Sequence, residues 1–373
     1  MGHIGARRWV AGLVAATSVA LVGTGCTPAS SLTPAQQVDQ IIGFVEAVRG
    51  HSFVTPPVVT FESDAQFRQD VLDNVAAAKP AVDAAEPNFK ALGWLAPTDN
   101  HNAKYQIAFG GAVAGFYDPA SKVLKVRGTD LTPYRREVIA HELTHALDDQ
   151  LFGLDDDFGD GLLGQSTFSA LVAIEGDATR TQQAYYNSMS GIDQAADIAE
   201  QLSMPIDPQL LTVPLALLTF TQVPYTRGGQ FVYDIAVGGG IPAIDALFSR
   251  YPATAEQGFD TAKYLANEPA TPVPTPPAAG TVSASGTWGQ YLLSSVLASG
   301  AALDVAPVTQ GWAGDAYVSW TSGAQACFRL DTAMDTQAEA DALQSSLEGW
   351  ASSRSGATIT ATGPATVRLT SCD

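Results

Sequence analysis

The pattern of apolar positions predicts helices along most of the first part of the chain. In residues 34–48 apolar side chains recur every three or four positions, at Val38, Ile41, Ile42, Val45 and Val48, which is typical of an amphipathic helix. The β-prone run PVVTFES, residues 57–63, predicts a strand. Helical patterns at 64–78 and 81–92 follow it, so a strand is expected between helices.

A β-hairpin and a clearly delimited helix are predicted next. In GAVAGFYDPASKVLKVRG, residues 111–128, two β-prone runs flank the turn-forming DPAS, which favours a hairpin. Thr132 is a suitable N-cap and Pro133 suits the first helical position. The helix is expected to end before Gly153.

Further helices and a proline-rich segment divide the rest of the chain. Helical patterns cover the segments 167–189, 194–218 and 230–250. Residues 269–280 are rich in proline, which predicts a semi-rigid linker. We therefore predict an α+β protein, with a mostly helical domain that carries a small hairpin or sheet at 37–268. A small C-terminal α+β domain is predicted at 281–373.

The composition adds a strong acidic charge to this plan. The 373 residues include 19 Lys and Arg against 38 Asp and Glu, a formal net charge of −19, and 46% are hydrophobic. That apolar content is sufficient for a buried core. The negative field argues against a nucleic-acid partner and against electrostatic adhesion to anionic lipid.

The first residues are typical of an export signal that ends at a lipidated cysteine. Two arginines precede an uncharged apolar run at 9–25, and Cys26 follows it, which resembles a bacterial lipobox. We predict a lipoprotein signal at 1–26 and a polar tether at 27–36. The mature protein would then be anchored by lipid on the extracytoplasmic face of a bacterial membrane. The alternative is an ordinary cleaved signal and a secreted protein.

The other two cysteines, Cys327 and Cys372, lie in the predicted C-terminal domain. In an oxidising compartment we expect them to form a disulfide. The alternative is a pair of buried free thiols.

Candidate chemistry is concentrated in REVIAHELTHALDDQ, residues 136–150, which holds two of the chain's five histidines. Residues four apart share one face of a helix, so His141 and His145 can converge on one cation, with Glu142 beside it. This spacing suits zinc-dependent peptide hydrolysis, in which zinc polarises the carbonyl and the unligated glutamate is the general base. The alternative is an amphipathic helix whose histidines are exposed or satisfied by neighbours.

A third ligand is expected at Glu175. Leu171, Val172 and Ala178 place it on the apolar face of its helix, where a carboxylate is costly unless a charge meets it. The adjacent Gly176 costs about 1 kcal/mol relative to alanine in a helix. We explain that cost by a close crossing of the two helices that share the metal. The alternative is a salt bridge between Glu175 and an arginine.

These motifs resemble a known class of enzymes. HELTHALDD resembles the active-site helix of thermolysin-type zinc peptidases, the gluzincins, whose third ligand is a glutamate on the following helix, the role that Glu175 matches. Together with ALVAIEGDAT, GGQFVYDI and GWAGDAYVSW it is similar to a family of exported bacterial lipoproteins with predicted metallopeptidase activity. The resemblance implies a gluzincin-like fold, one zinc ion, and a protein or peptide substrate.

Two aspartates are candidates for supporting the metal ligands. Asp149 lies four residues after His145 on the same face, where it can accept the imidazole N–H that faces away from zinc. The resemblance implies an aspartate there too. Asp177 is the second candidate, although its position favours pairing with Arg180.

The group that stabilises the oxyanion is left open. Gluzincins use a tyrosine and a histidine downstream of the ligands, but no histidine follows His145 in this chain. The donor must then be a tyrosine or an arginine. PYTRGGQFVY offers Tyr225, Arg227 and Tyr233.

The acidic segment LDDDFGD, residues 154–160, is a candidate calcium site, because carboxylates and a glycine turn suit a hard cation. The segment lacks the spacing of an EF-hand loop, so a solvated loop is the preferred interpretation.

The sequence as a whole predicts a membrane-anchored extracytoplasmic zinc metallopeptidase with Glu142 as its general base. We expect an edge strand of the hairpin to pair with an extended peptide substrate. Two alternatives stay open. One is a non-catalytic surface lipoprotein that uses the zinc site structurally or for docking, and the other is a zinc amidase that acts on cell-wall peptides.

Overall fold

The computed structural model describes residues 32–154, 164–204, 207–300 and 306–373. The fold is α+β, mostly helical with two small sheets, which confirms the predicted class. Cys26 and most of the acidic segment considered for calcium lie outside the described residues.

The first part of the chain is helical around one small sheet. Its elements before the turn at 153 are α1 Pro34–Arg49, β1 Val58–Glu62, α2 Asp64–Ala77, α3 Lys79–Ala91, α4 His101–Ala112, β2 Gly115–Asp118, β3 Val123–Arg127 and α5 Pro133–Phe152. Those after it are α6 Gln165–Ser188, α7 Gly191–Ser203, a 3-10 helix Pro208–Thr212, α8 Leu215–Ser249, α9 Ala255–Phe259 and α10 Thr261–Ala266.

The second part follows a segment without helix or strand at 267–280. Its elements are β4 Thr281–Gly286, α11 Gly289–Ala298, α12 Ala306–Thr309, β5 Trp312–Ser322, β6 Gln325–Met334, α13 Gln337–Ala351, β7 Thr358–Gly363 and β8 Thr366–Cys372.

The small sheet has the order β1-β3-β2, with β1 parallel and β2 antiparallel to β3. The strands β2 and β3 form the predicted hairpin, although it begins later than expected because residues 111–112 belong to α4. Leu124 and Val126 of β3 pack in one cluster with Ile139 and Leu143 of α5. The sheet therefore lies directly on α5, and β2 is one of its two edge strands.

The ends of α5 are set by local chemistry, as predicted. The side chain of Thr132 accepts a hydrogen bond from the backbone N–H of Arg135, and Pro133 occupies the first turn. Gly153 ends the helix with a φ of 67°, a left-handed conformation that glycine adopts without strain.

The single helix predicted at 194–218 is wrong, because prolines interrupt it. Helix α7 ends at Ser203, a 3-10 helix begins at Pro208, and α8 begins at Leu215 immediately after Pro214. Proline has no N–H to donate, so it suits the start of a helix and interrupts its interior. Helix α8 then starts well before the predicted residue 230 and bends at Gly240, whose φ is 63°.

Helix α8 is also the one helix among the described residues that could cross a membrane by length and composition. Its best 18-residue window has a mean hydropathy of 1.4, and 28% of that window is buried. The core helix of a soluble protein can have the same composition. Helix α8 packs against α6 in the structure.

The second sheet is antiparallel with the order β4-β5-β6-β8-β7. Its core is continuous with that of the helical part. Trp94, which follows α3, packs on Trp288, with ring centroids 6.3 Å apart, and Trp288 packs on Phe328 of β6. The hydroxyl of Ser371 donates to the backbone carbonyl of Ala91. The two parts are thus packed against each other across the proline-rich segment.

Cys327 and Cys372 form a disulfide in the structure. They are directly opposite each other on β6 and β8. The bond therefore holds the last strand of the chain against β6, the central strand of the second sheet.

Candidate metal centre

Helices α5 and α6 bring three buried ligand atoms to one point. The Nε2 atoms of His141 and His145 are 3.1 Å apart. The Oε2 atom of Glu175 lies 3.2 Å from the first and 3.3 Å from the second. None of the three residues is more than 2% exposed. The two histidines and the glutamate predicted from the sequence therefore meet.

These distances can be compared with those of a zinc site. Tetrahedral coordination with bonds of about 2.0–2.1 Å places neighbouring ligand atoms about 3.3 Å apart. The three separations differ from that value by at most about 0.2 Å. A set of two imidazoles and one carboxylate is also a usual donor set for a catalytic zinc ion. The residues present therefore fit one zinc ion.

Glu175 is the anionic member of the three groups. Burial by itself raises the pKa of Glu175, but the two histidines outweigh it and lower the pKa to about 2. The carboxylate is therefore ionised over the whole physiological range, as a metal ligand must be.

Glu142 lies beside this point and is held by the edge strand. The backbone N–H of Tyr117 in β2 donates to its Oε2 atom over 2.8 Å. Its Oε1 atom is buried without a hydrogen-bond partner among the described residues. Burial raises the pKa of Glu142 to about 8. The charge of Glu175 adds to this shift, and His141 and the Tyr117 N–H oppose it. One carboxylate oxygen is thus fixed, and the other has no hydrogen-bond partner among the described residues.

The close approach of β2 to α5 depends on Gly115. A β-carbon at this position would lie 2.6 Å from Cγ1 of Val138 and 3.4 Å from Cγ of Glu142. Any larger residue would move the strand away from the helix. Glycine therefore allows the Tyr117 N–H to reach the glutamate.

The sequence predicted that Gly176 allows a close crossing with the other helix that carries ligands, α5, and this partner was wrong. A β-carbon at Gly176 would overlap the carbonyl oxygen of Gly228 on α8, and one at Gly228 would overlap the carbonyl oxygen of Val172. The close crossing is therefore between α6 and α8, because Gly176 points about 100° away from Glu175 around the helix. It brings the hydroxyl of Tyr225 to 3.1 Å from Oε1 of Glu175.

The three oxyanion candidates have different positions. Tyr225 is buried, donates to Glu175 and stacks on His141, with ring centroids 6.0 Å apart. Arg227 is exposed and its guanidinium lies over the ring of Phe259. Tyr233 is 57% exposed. Of the three candidates, the structure brings only Tyr225 to the metal centre.

The two supporting aspartates also have partners that the sequence did not indicate. Asp149 accepts from the hydroxyl of Tyr117 over 2.8 Å and from the ammonium of Lys122 over 2.5 Å. It therefore supports the strand that holds Glu142. The sequence had predicted a hydrogen bond from His145 to Asp149 in its place. Asp177 pairs with Arg180, as its position indicated, and its other oxygen lies 2.6 Å from Nε of Arg49.

Arg49 was missed by the sequence analysis. It is fully buried at the end of α1, and its guanidinium contacts Asp148 of α5, Asp177 of α6 and Asp245 of α8. Burial lowers its pKa, but the three carboxylates outweigh burial and hold the pKa above its ordinary value. This one side chain ties together the helices that carry the candidate metal ligands and Tyr225. Nothing in the local pattern around Arg49 signals that role.

Gln182 was missed as well. Its side-chain carbonyl lies 3.0 Å from Nδ1 of His141, and its amide donates to Glu137 over 3.2 Å. Helical spacing contains a signal for it, because Gln182 lies seven residues after Glu175 and so shares its face of α6. Glu137 is likewise one turn before His141 on α5.

Comparison with known proteins covers only the second part of the chain. Residues 278–371 match a domain of unknown function (DUF8575). No curated protein and no solved structure matches the chain. The matched segment contains β4 to β8 and none of the residues of the metal centre.

Proposed function

We propose that this protein is a zinc-dependent peptidase of the gluzincin type, in which His141, His145 and Glu175 bind the metal. One observation carries the proposal. Three buried ligand atoms converge at separations that suit zinc. Beside them, the Oε1 atom of Glu142 has no hydrogen-bond partner among the described residues. A site that only binds metal does not need this fourth residue.

The roles of the residues follow from their positions. When bound, a zinc ion supplies Lewis acidity, which polarises the scissile carbonyl and lowers the pKa of a water molecule. Glu142 accepts the proton of the attacking water at Oε1 and passes it to the leaving amine, while the Tyr117 N–H holds Oε2. A base must both take and return this proton, which is easiest when its pKa lies near the working pH.

Tyr225 is the proposed donor to the oxyanion that develops on the carbonyl oxygen. Its hydroxyl is already at the metal centre, where it contacts Glu175. The sequence predicts that the edge strand of the hairpin pairs with an extended peptide, but all four residues of β2 are buried in the structure. The Tyr117 N–H is occupied by Glu142, so substrate pairing has to use other backbone groups of that strand.

The proposal is tested by metal content and peptide cleavage measured on the same proteins. We expect the wild type to bind one zinc ion and to cleave an unfolded protein or a peptide library. Glu142→Gln keeps the zinc and loses about 10²–10⁴-fold in cleavage rate, because its amide cannot take a proton but still accepts from Tyr117. Glu175→Ala loses the zinc.

Glu348→Gln is the matched control, because Glu348 is exposed on α13 and bonded only to Gln344 among the described residues. It should keep full activity and zinc. Unchanged zinc occupancy in Glu175→Ala contradicts the proposed ligand set.

One observation favours the non-catalytic alternative, in which zinc is structural or serves docking. The site is almost fully buried at all four of its residues, His141, Glu142, His145 and Glu175, as structural metal sites often are. The same experiment separates the two functions. If wild type and Glu142→Gln both bind zinc and the wild type cleaves neither proteins nor peptides, the alternative is correct.

A further inference from the structure

A cavity lies on the side of α8 opposite the candidate metal centre. Val223 and Arg227 line it, and they share one helix face because they are four residues apart. Tyr225, halfway between them, points the other way to Glu175. The cavity has a volume of about 360 Å³, which is in the range of small-molecule sites, about 300–1,000 Å³.

The walls come from both parts of the chain. Gln290, Ser294 and Ala298 of α11 line it at intervals of four residues, so one face of this helix runs along the cavity for about 12 Å. Phe259 of α9 and Tyr291 of α11 form an apolar wall, with ring centroids 6.5 Å apart. Small-molecule sites are common where two such parts meet.

A buried acceptor in this cavity has no partner. Gln290 is 6% exposed, and its amide nitrogen donates to the backbone carbonyl of Thr309 over 2.8 Å. Its Oε1 atom has no hydrogen-bond partner among the described residues. An unpaired acceptor that is buried destabilises the fold. Gln290 therefore places an unpaired acceptor in the wall of the cavity.

A cation stands at the cavity mouth. Arg227 is exposed, with its guanidinium 5.6 Å from the centre of the Phe259 ring. No ion pair joins Arg227 to a carboxylate anywhere in the part of the chain that the structure describes. In a protein with twice as many acidic as basic residues, an arginine without such a pair is available for an anionic ligand.

The opposite charge lies deeper in the wall. The buried Glu256 lines the cavity and accepts from Lys263 over 2.6 Å. Lys263 is shared with Glu268 and Asp335, at 3.1 and 3.0 Å. Three carboxylates thus face one ammonium, which leaves this side with an excess of negative charge.

We propose that this cavity binds a small zwitterion, a dipeptide with a free ammonium group, a free carboxylate and an apolar side chain. Its carboxylate pairs with Arg227, and its ammonium group donates to Gln290 Oε1 and faces Glu256. Its side chain packs on Phe259 and Tyr291. The site is separate from the metal centre and depends on no step of the proposed peptidase reaction.

Calorimetric titration with glycyl-leucine tests the proposal, carried out in the Glu142→Gln background to prevent hydrolysis. We expect saturable binding of the dipeptide. N-acetyl-glycyl-leucine, which lacks the ammonium, and glycyl-leucine amide, which lacks the carboxylate, should each bind at least about tenfold more weakly, since each loses a charged hydrogen bond.

Variants of the cavity locate the binding. Arg227→Gln and Gln290→Met should each weaken glycyl-leucine binding at least about tenfold, and Arg227→Gln should bind the dipeptide and its amide equally. Arg68→Gln, which removes a partly exposed arginine on α2, should bind like the parent protein. Arg227 is exposed, so its variant remains decisive if Gln290→Met does not fold.

Three results overturn the proposal. The first is the absence of glycyl-leucine binding at millimolar concentration. The second is unchanged affinity in Arg227→Gln. The third is loss of binding in His141→Ala with unchanged affinity in the cavity variants, because the dipeptide would then occupy the metal centre.

Discussion

Gln182 decides which nitrogen of His141 faces the metal position. Its amide donates to Glu137, so its carbonyl oxygen must face Nδ1 of His141. Only a protonated Nδ1 can bond to a carbonyl oxygen. This leaves the lone pair on Nε2, which lies beside Glu175 and His145, free for a metal ion.

Gln182→Leu should therefore weaken zinc binding about 10–100-fold, as is usual when the partner of a histidine ligand is removed. The measurement is competition with a chromophoric chelator. Gln183→Leu is the control, because Gln183 is the next residue on α6, is exposed and bonds to Asn187. Equal affinities of the two variants would show that Gln182 does not orient His141.

Glu137 and Asp197 form a buried carboxyl pair behind Gln182. Gln201 donates to both, over 3.4 Å to Glu137 and 2.8 Å to Asp197. Burial, together with the charge of Asp197, raises the pKa of Glu137 to about 8. The folded protein therefore holds a proton on this pair at pH values at which the unfolded chain has lost it.

This pair predicts a pH dependence of stability. Between an unfolded pKa of about 4.3 and the folded value the native state binds more protons, so the free energy of unfolding falls as the pH rises. The contribution is at most about 1.4 kcal/mol per pH unit. In Glu137→Gln, urea unfolding with chelator present should show a shallower decline from pH 5 to 8. Parallel curves for the two proteins would contradict it.

At the scale of elements, the crossing of α6 and α8 places Tyr225 at the metal centre. Gly176 and Gly228 let the two backbones touch, and Tyr225 lies about one turn before Gly228. Since a β-carbon on either glycine meets backbone atoms, no side-chain rotation can relieve the overlap.

Gly176→Ala should therefore lower stability by about 1–3 kcal/mol, as overpacking of a core does. It should also reduce any peptidase activity, because Tyr225 moves away from Glu175. Gly43→Ala is the matched control, since Gly43 is helical and has nothing within 4 Å of its added β-carbon. That change should stabilise the protein by about 0.5–1 kcal/mol. Thermal unfolding should show a lower melting temperature than the wild type for Gly176→Ala and a higher one for Gly43→Ala.

At the scale of the whole molecule, the disulfide secures the second sheet. The loop between Cys327 and Cys372 has a sequence separation of 45 residues. Loop-closure entropy for that length gives about 4 kcal/mol as an upper figure. The bond is in the central pair of strands β6 and β8, whose Ser371 contacts α3.

Reduction should therefore lower the free energy of unfolding by about 2–4 kcal/mol. The zinc content should stay unchanged, because all three proposed ligands are on α5 and α6. The measurement is denaturant unfolding and metal analysis of oxidised and reduced protein. Loss of zinc on reduction would show that the metal centre depends on the intact second sheet.

The sequence alone determined the features that depend on neighbours within one or two helical turns. The caps of α5 are local, since Thr132 and Pro133 act on the first turn and Gly153 on the last. The same holds for the convergence of His141 and His145, which follows from a separation of four residues. Prolines at 208 and 214 also carried a local signal, which the predicted helix at 194–218 did not take into account.

The tertiary structure decided everything that depends on which helix faces are adjacent. Glu175 could be placed on an apolar face from its neighbours, but the partner of Gly176 could not, because helical periodicity does not say which helix packs on that face. The same applies to Arg49, whose three carboxylate partners are on three other helices. Contacts between residues far apart in the chain are set by packing of the whole core, and no local pattern encodes them.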